Sequence, residues 1–211
     1  MSSPDERCRP VDLTDPTTAA LVAVEAAERT GRGYALYGGL LLAAYGEPRE
    51  TRDVDLAVTS LDADAIRAAL DSMGVRTGAN FEGVTFGGLV LDRVNVIGGD
   101  DLGLNTIDLV RPASDRYAAD ALDRSIEAPL RDRSVRVLSP EDFVLFKLLS
   151  TRDRDLDDAV SVLRRSGGQV DREGLNREVE RLAGELPAVA IRDRYDRLWK
   201  VASLSQRRKP S

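Results

Sequence analysis

Two aspartates separated by one residue, Asp53 and Asp55, have the spacing best suited to chemistry in this sequence. Residues 53–58 alternate between polar and apolar side chains, which predicts a strand with both carboxylates on one face. Carboxylates on one face of a strand converge and repel each other, and a divalent cation relieves that repulsion. The pair therefore predicts an oxygen-ligand site for a hard cation such as Mg²⁺. Alone, the same pattern is commonly a solvated strand face.

A glycine pair, Gly38-Gly39, stands before the aspartates and makes the metal site the better interpretation. The apolar segment 34–37 predicts a buried strand before the pair, and the apolar run 40–45 predicts a helix after it. Glycines at a strand-to-helix turn let the backbone approach a phosphate and direct helix N–H groups at it. Phosphates held by glycines and linked through metal to carboxylates are what phosphoryl or nucleotidyl transfer needs.

Composition limits the chemistry further. The chain has 211 residues and no histidine, which excludes Ser-His-Asp and Cys-His catalysis and histidine-ligated zinc. Its net charge is −6, but the residues from 140 onwards carry 15 basic and 13 acidic side chains, so the negative charge lies before them. One cysteine, Cys8, allows no internal disulfide; with no secretory signal and no membrane-length apolar run, this predicts a cytoplasmic protein.

The elements that must position these residues are strands before residue 140 and helices after it, an α+β pattern. We expect a core over residues 1–139, a helical region over 140–203 and a basic tail over 204–211. Before residue 140 the patterns predict helices at 17–30, 62–73 and 114–122, strands at 90–97, 106–110 and 135–138, and a turn at 98–101. After it, Ser139-Pro140 starts a helix, and breaks are expected at 167–168 and Pro187.

The run from Tyr37 through the glycine pair to Asp53-Val-Asp55-Leu resembles the nucleotidyltransferase superfamily, the DNA polymerase β-like fold. Its Arg-X-Thr-Arg-Asp-X-Asp-Leu form resembles small bacterial AbiEii-type toxins. The resemblance implies a mixed sheet flanked by helices, with Gly38 and Gly39 holding a nucleoside triphosphate and Asp53 and Asp55 binding Mg²⁺. Arg49 and Arg52 flank the pair and are expected to neutralise phosphate charge. For Arg52, pairing with a nearby carboxylate is an equal alternative. One departure is Leu40, where the family often has a small or hydroxyl residue.

A third carboxylate is expected on a neighbouring strand. Asp108 lies among apolar neighbours on a predicted strand, where an unpaired aspartate is costly. By the resemblance it completes the metal site and activates the acceptor hydroxyl. Asp92 is the competitor, but its neighbour Arg93 suits an ion-paired surface.

The helix that starts at Ser139 carries Lys147 in an otherwise apolar run, followed by Arg154-Asp155-X-X-Asp158. A lysine in this setting is commonly a surface residue whose ammonium reaches solvent. The resemblance instead implies that Lys147 contacts the triphosphate and that Asp158 is a catalytic or supporting residue. Asp155 and Asp158 share a helix face and can reach one partner; without the resemblance, the segment is equally a solvated, salt-bridged face.

Together these features predict a two-metal nucleotidyltransferase that moves NMP from an NTP to a hydroxyl group, with release of pyrophosphate. The acceptor would be an RNA 3′ end such as tRNA, a protein hydroxyl or a small antibiotic. A toxin role implies an antitoxin protein as partner. The alternatives are a non-catalytic nucleotide-binding or interaction module of the same fold, and a kinase-like or hydrolytic phosphotransferase that uses the same metals.

Overall fold

The computed structural model describes residues 12, 15–78, 81–98, 104–166 and 169–206. Cys8, the predicted break at 167–168, residues 99–101 of the predicted turn and residues 207–211 of the predicted tail lie outside this part of the chain.

Helices are interspersed among the strands up to residue 137, and only helices follow in the described part of the chain. In chain order they are α1 (Pro16–Arg29), β1 (Tyr34–Tyr37), α2 (Gly38–Tyr45), β2 (Val54–Val58), α3 (Ala63–Ser72), β3 (Arg76–Thr77), β4 (Phe81–Phe86), β5 (Leu89–Ile97), β6 (Leu104–Pro112), α4 (Asp115–Asp123), β7 (Ile126–Leu130), β8 (Arg133–Val137), α5 (Pro140–Leu149), α6 (Asp153–Arg165), α7 (Arg172–Glu185) and α8 (Ile191–Gln206).

The strands of the described ranges form one mixed sheet in the order β3-β5-β6-β2-β1-β8-β7, with β4 also beside β5. β2 runs parallel to β6 and antiparallel to β1, and β1 runs parallel to β8. The centre of the sheet therefore holds β6, β2 and β1, which are the strands that carry or adjoin the candidate site residues. This arrangement confirms the predicted α+β fold.

The helices cover the sheet and continue its core. α1 and α3 contact each other and the sheet, whereas α5 contacts α6, α7 and α8. Ser139 caps α5 as the sequence predicts, accepting a hydrogen bond from the backbone N–H of Asp142 at 3.1 Å. Phe146 of α5 packs against Tyr37 and Tyr117, with ring centroids 5.2 and 6.0 Å apart. One hydrophobic cluster thus joins the sheet to the C-terminal helices.

Three features of the fold were not predicted. β4 and β7 lie at the margins of the sheet and are largely exposed, so they lack the apolar alternation that identifies a half-buried strand. A short break, residues 150–152, separates α5 from α6 without a glycine or proline to mark it. No helix in the described part of the chain is long and apolar enough to cross a membrane.

Candidate active site

A row of four side chains crosses the middle of the sheet. Arg93 of β5 is in register with Asp108 of β6, Asp108 with Asp55 of β2, and Asp55 with Tyr37 of β1. Residues in register on neighbouring strands project from the same face. The sheet therefore places two carboxylates side by side, between an arginine and a buried tyrosine.

Asp55, unlike Asp108, has no ion pair in the part of the chain that the structure describes. Its side chain is partly buried. Burial, and then repulsion by Asp108, raise the pKa of Asp55 to about 7, while Lys147 opposes the rise and Asp53 adds to it. Asp53 comes one residue before β2 and is exposed, and its Oδ1 accepts a hydrogen bond from Thr106 Oγ1 at 2.9 Å. A cation at the pair would relieve this repulsion.

The glycine pair lies in the first turn of α2. We expected the pair to form a turn before a helix that begins at residue 40, but the helix begins at Gly38. Gly38 has φ +76°, and a Cβ built there would lie 1.9 Å from Asp55 Oδ2. A Cβ at Gly39 would lie 2.7 Å from Thr51 Oγ1. The absence of both side chains lets the α2 N-terminus, whose first N–H groups have no partner within the helix, lie against Asp55.

Asp108 is held by a bidentate ion pair. Arg93 donates from Nε to Asp108 Oδ1 and from Nη2 to Asp108 Oδ2, both at 2.6 Å. Burial raises the pKa of Asp108, although the hydrogen bonds from Arg93 oppose the shift. The competitor Asp92 faces the other side of the sheet, is buried, and accepts a hydrogen bond from the Gly83 N–H at 2.8 Å. The expected ion-paired surface at Asp92 and Arg93 is therefore wrong, because neighbouring residues on a strand face opposite ways.

Lys147 is buried rather than directed to solvent. Its Nζ lies 2.7 Å from Asp155 Oδ1 and 3.0 Å from Asp158 Oδ2, so the two aspartates reach one partner as expected. Asp155 also accepts hydrogen bonds from Ser150 Oγ and Arg152 Nε. Burial alone would raise the pKa of Asp155, but these cations and the hydroxyl hold it below its usual range.

This second cluster adjoins the first through Tyr37, whose ring centroid lies 5.9 Å from Lys147 Nζ. Arg49 extends it toward the loop before β2, with Nη2 3.4 Å from Asp158 Oδ2 and a buried Nε that lacks a hydrogen-bond partner. Arg52 is exposed and makes no ion pair within the ranges the structure describes. Of the predicted site residues, all but Arg52 thus lie in two adjoining clusters.

A family described as "Nucleotidyl transferase AbiEii toxin, Type IV TA system" matches residues 19–185. The chain belongs to this family. The match includes both carboxylate clusters and the glycine pair, and it confirms the resemblance drawn from the Asp53 and Asp55 motif. The protein is therefore a nucleotidyltransferase.

Solved structures agree with the fold of this AbiEii-family nucleotidyltransferase. It resembles JHP933 from Helicobacter pylori with a TM-score of 0.51 at 13% identity, covering 91% of this chain and 90% of that one. It also resembles an antigenic nucleotidyltransferase-like protein from Paracoccidioides brasiliensis with a TM-score of 0.51 at 17% identity, covering 89% and 95%. At these identities the likeness concerns the fold alone. No curated protein matches the chain.

Sequence reasoning missed two arginines that shape the site of this nucleotidyltransferase. Arg93 was assigned to Asp92, and only the pairing of β5 with β6 places it on Asp108. Arg194 of α8 donates to the carbonyl oxygens of Leu148 at 3.0 Å and Arg152 at 3.1 Å, where α5 ends. Burial lowers the pKa of Arg194. No local pattern connects Arg194 to a helix so distant in sequence.

Nucleotidyltransferases use divalent cations, and the donor set fits one only in part. Asp53 and Asp55 have the carboxylate oxygens that hard cations prefer, and the pKa of Asp55 is raised by burial and then by repulsion from Asp108, which a cation would relieve. Asp108 lies beside them, but Arg93 occupies both of its oxygens. Accordingly, no three acidic, histidine or cysteine side chains of the described chain are grouped closely enough to hold a metal ion.

Proposed function

We propose that this protein is a Mg²⁺-dependent nucleotidyltransferase that moves NMP from an NTP to a hydroxyl acceptor, at the site formed by Asp53, Asp55 and Asp108. The observation that carries the proposal is the register that sets Asp55 beside Asp108. A glycine with positive φ brings a helix N-terminus onto the same carboxylate.

The carboxylates have different tasks in this proposal. Asp53 and Asp55 hold Mg²⁺, and Asp108 joins them and accepts the proton of the acceptor hydroxyl. The bound cation would neutralise phosphate charge and polarise the reacting phosphoryl group. Asp108 is suited to taking a proton because burial raises its pKa.

The nucleotide is held by backbone and cations. Gly38 and Gly39 direct the first N–H groups of α2 at the triphosphate. Lys147 gives two of its three N–H donors to Asp155 and Asp158, which leaves one for a phosphate oxygen. Arg52, exposed at the end of the loop before β2, supplies a further positive charge. The acceptor oxygen bonds to the α-phosphorus, the α–β phosphoanhydride bond breaks and pyrophosphate leaves.

We further propose that the acceptor is an RNA 3′ end, such as that of tRNA, or a protein hydroxyl, and that the enzyme is the toxin of a toxin–antitoxin pair. The family description supports the toxin role and the presence of an antitoxin protein as partner. Asp158, held between Lys147 and Arg49, is assigned a supporting role because both of its contacts are to cations that flank the nucleotide.

The test uses the full-length protein, Mg²⁺ and each of the four α-labelled NTPs, with bulk tRNA or cell lysate as acceptor. We expect label transfer with release of pyrophosphate, its loss in Asp53→Ala, and its retention in Asp157→Ala, a control that removes an exposed carboxylate from α6. Nuclease or protease treatment of the product identifies the acceptor. Release of orthophosphate would indicate a phosphotransferase, and absence of metal-dependent NTP binding would indicate a non-catalytic module; either result contradicts the proposal.

A further inference from the structure

The bidentate pair between Arg93 and Asp108 occupies the carboxylate that a nucleotidyltransferase needs for its cation. Arg93 uses Nε and Nη2, and both hydrogen bonds are 2.6 Å long. The Asp108 side chain is 6% exposed, so little of it remains open to another partner. Charge-assisted bidentate pairs of this kind are among the strongest hydrogen-bonded contacts in proteins.

A second contact holds the guanidinium in place. Phe81 of β4 is in register with Arg93, and the Arg93 Cζ lies 5.1 Å from the centroid of the Phe81 ring. Phe81 is 42% exposed, which is unusual for a large apolar side chain on a strand. The contact explains its position, since an aromatic ring over a guanidinium adds a cation–π attraction. Arg93 is thus held between an aromatic ring and the carboxylate.

Three carboxylates lie in or beside the row, so a positively charged side chain is needed there when no metal ion is bound. Burial raises the pKa of Asp55 and of Asp108; Asp108 and Asp53 raise the pKa of Asp55 further, and Asp53 adds to that of Asp108. Asp55 has no ion pair among the described residues, so Arg93 is the one side chain of the row that carries positive charge. It compensates part of the repulsion.

We propose that Arg93 is a resident counter-ion that competes with the divalent cation for Asp108. In the resting protein the arginine holds Asp108, and a cation at Asp53 and Asp55 gains its third ligand only when Arg93 leaves. The released guanidinium, on a side chain that is 29% exposed, then lies next to the site, where it can pair with a nucleotide phosphate. The inference rests on the proposed function, because it presumes that Asp53 and Asp55 bind the cation.

The experiment is a titration with Mn²⁺ near pH 8, with free Mn²⁺ followed by its electron paramagnetic resonance signal. Arg93→Gln removes the competitor and should tighten Mn²⁺ binding by about 10- to 100-fold, the range for loss of a charged hydrogen-bonding partner. Arg93→Lys keeps the charge but loses the bidentate pair, so its Mn²⁺ affinity should lie between those of the parent and Arg93→Gln. Arg111→Gln is the matched control: Arg111 lies on β6, is 24% exposed and pairs with Asp115, and its loss should leave Mn²⁺ binding unchanged.

A second variant tests the holding contact without removing the arginine. Phe81→Ala removes an exposed ring, which is expected to leave folding intact, and should tighten Mn²⁺ binding by a few-fold because Arg93 then leaves Asp108 more readily. Thermal unfolding with and without Mn²⁺ gives an independent measure, since a ligand that binds the folded state raises Tm, and raises it more the tighter it binds.

The outcomes separate this inference from the function on which it rests. If Asp53→Ala weakens Mn²⁺ binding while Arg93→Gln and Phe81→Ala bind it as the parent does, the counter-ion role is wrong and the metal site stands. If Asp53→Ala binds Mn²⁺ as tightly as the parent, the metal site is wrong and the inference falls with it. Tighter binding in both Arg93→Gln and Arg111→Gln would show a general charge effect and would also overturn the counter-ion role.

Discussion

Replacement of Gly38 by alanine should inactivate the enzyme by displacing Asp55, and the structure separates this effect from backbone strain. Gly38 has φ +76°, and a Cβ there would lie 1.9 Å from Oδ2 and 2.5 Å from Cγ of Asp55. The carboxylate must turn away or α2 must shift. Gly31 provides the comparison, because its φ is +69° and a Cβ there would have no atom within 4 Å.

The magnitude follows from these two geometries. A left-handed conformation costs an L-residue about 1–2 kcal/mol, so Gly31→Ala should lower Tm by roughly 2–8 °C and leave nucleotide transfer unchanged. Gly38→Ala bears the same strain and the clash with Asp55 in addition. A displacement of about 1 Å at a reacting centre costs on the order of 100-fold in rate, so we expect transfer to fall by at least about that factor.

The assay compares both alanine variants with Asp55→Ala. Circular dichroism gives Tm, and transfer from α-labelled NTP gives the rate, under one set of conditions. The reasoning predicts a small loss of stability for Gly31→Ala and, for Gly38→Ala, a rate close to that of Asp55→Ala. Full activity in Gly38→Ala would refute the close approach to Asp55, and equal inactivity in Gly31→Ala would show that strain alone explains the loss.

Three further perturbations have defined outcomes. Lys147→Met removes the buried partner that Asp155 and Asp158 share and leaves them only Arg152 and Arg49, so it should cost about 3–5 kcal/mol in urea unfolding, against almost nothing for the exposed Lys200→Met; equal losses would contradict the buried pairing. Arg194→Ala removes the donors at the end of α5 and should cost about 1–3 kcal/mol and slow transfer, with Mn²⁺ affinity retained; an unchanged urea midpoint would count against it. Because the pKa of Asp55 is raised to about 7, the folded, metal-free protein keeps a proton that the unfolded chain releases near pH 4. The contribution of Asp55 to stability should therefore fall between about pH 4 and pH 7. In EDTA, the stability of Asp55→Asn relative to the parent should be greater at pH 8 than at pH 5; a pH-independent difference would be inconsistent with the shift.

Much of the site was predictable because strand alternation decides which side chains share a face. Asp53-Val-Asp55 gave the candidate metal pair, and the apolar setting of Asp108 distinguished it from Asp92. The structure puts Asp108 beside Asp55 and turns Asp92 to the other face. The helix start at Ser139 was equally accessible, since a capping hydroxyl and a proline act locally.

The remainder depends on tertiary contacts that no local pattern encodes. From the sequence, Arg93 was expected to pair with its neighbour Asp92, whereas the pairing of β5 with β6 places Arg93 against Asp108. By its sequence context, Lys147 would be a surface lysine. However, α6 packs against α5, and Asp155 therefore forms an ion pair with Lys147 in the interior. The start of α2 was placed too late because glycine is a poor helix former, whereas here a glycine is needed to let the helix approach Asp55.

The distribution of ion pairs indicates why Asp55 is the centre of the site. Arg93 compensates Asp108, and Lys147 compensates the carboxylates of α6, while Asp55 is left without an ion pair in the described chain. Its pKa near 7 means that at neutral pH a proton partly supplies the missing positive charge. If the proposed site and the counter-ion role are right, a divalent cation displaces a proton from Asp55 as well as Arg93 from Asp108. Its affinity should increase with pH up to the pKa of Asp55 and, above that value, be limited by the arginine alone.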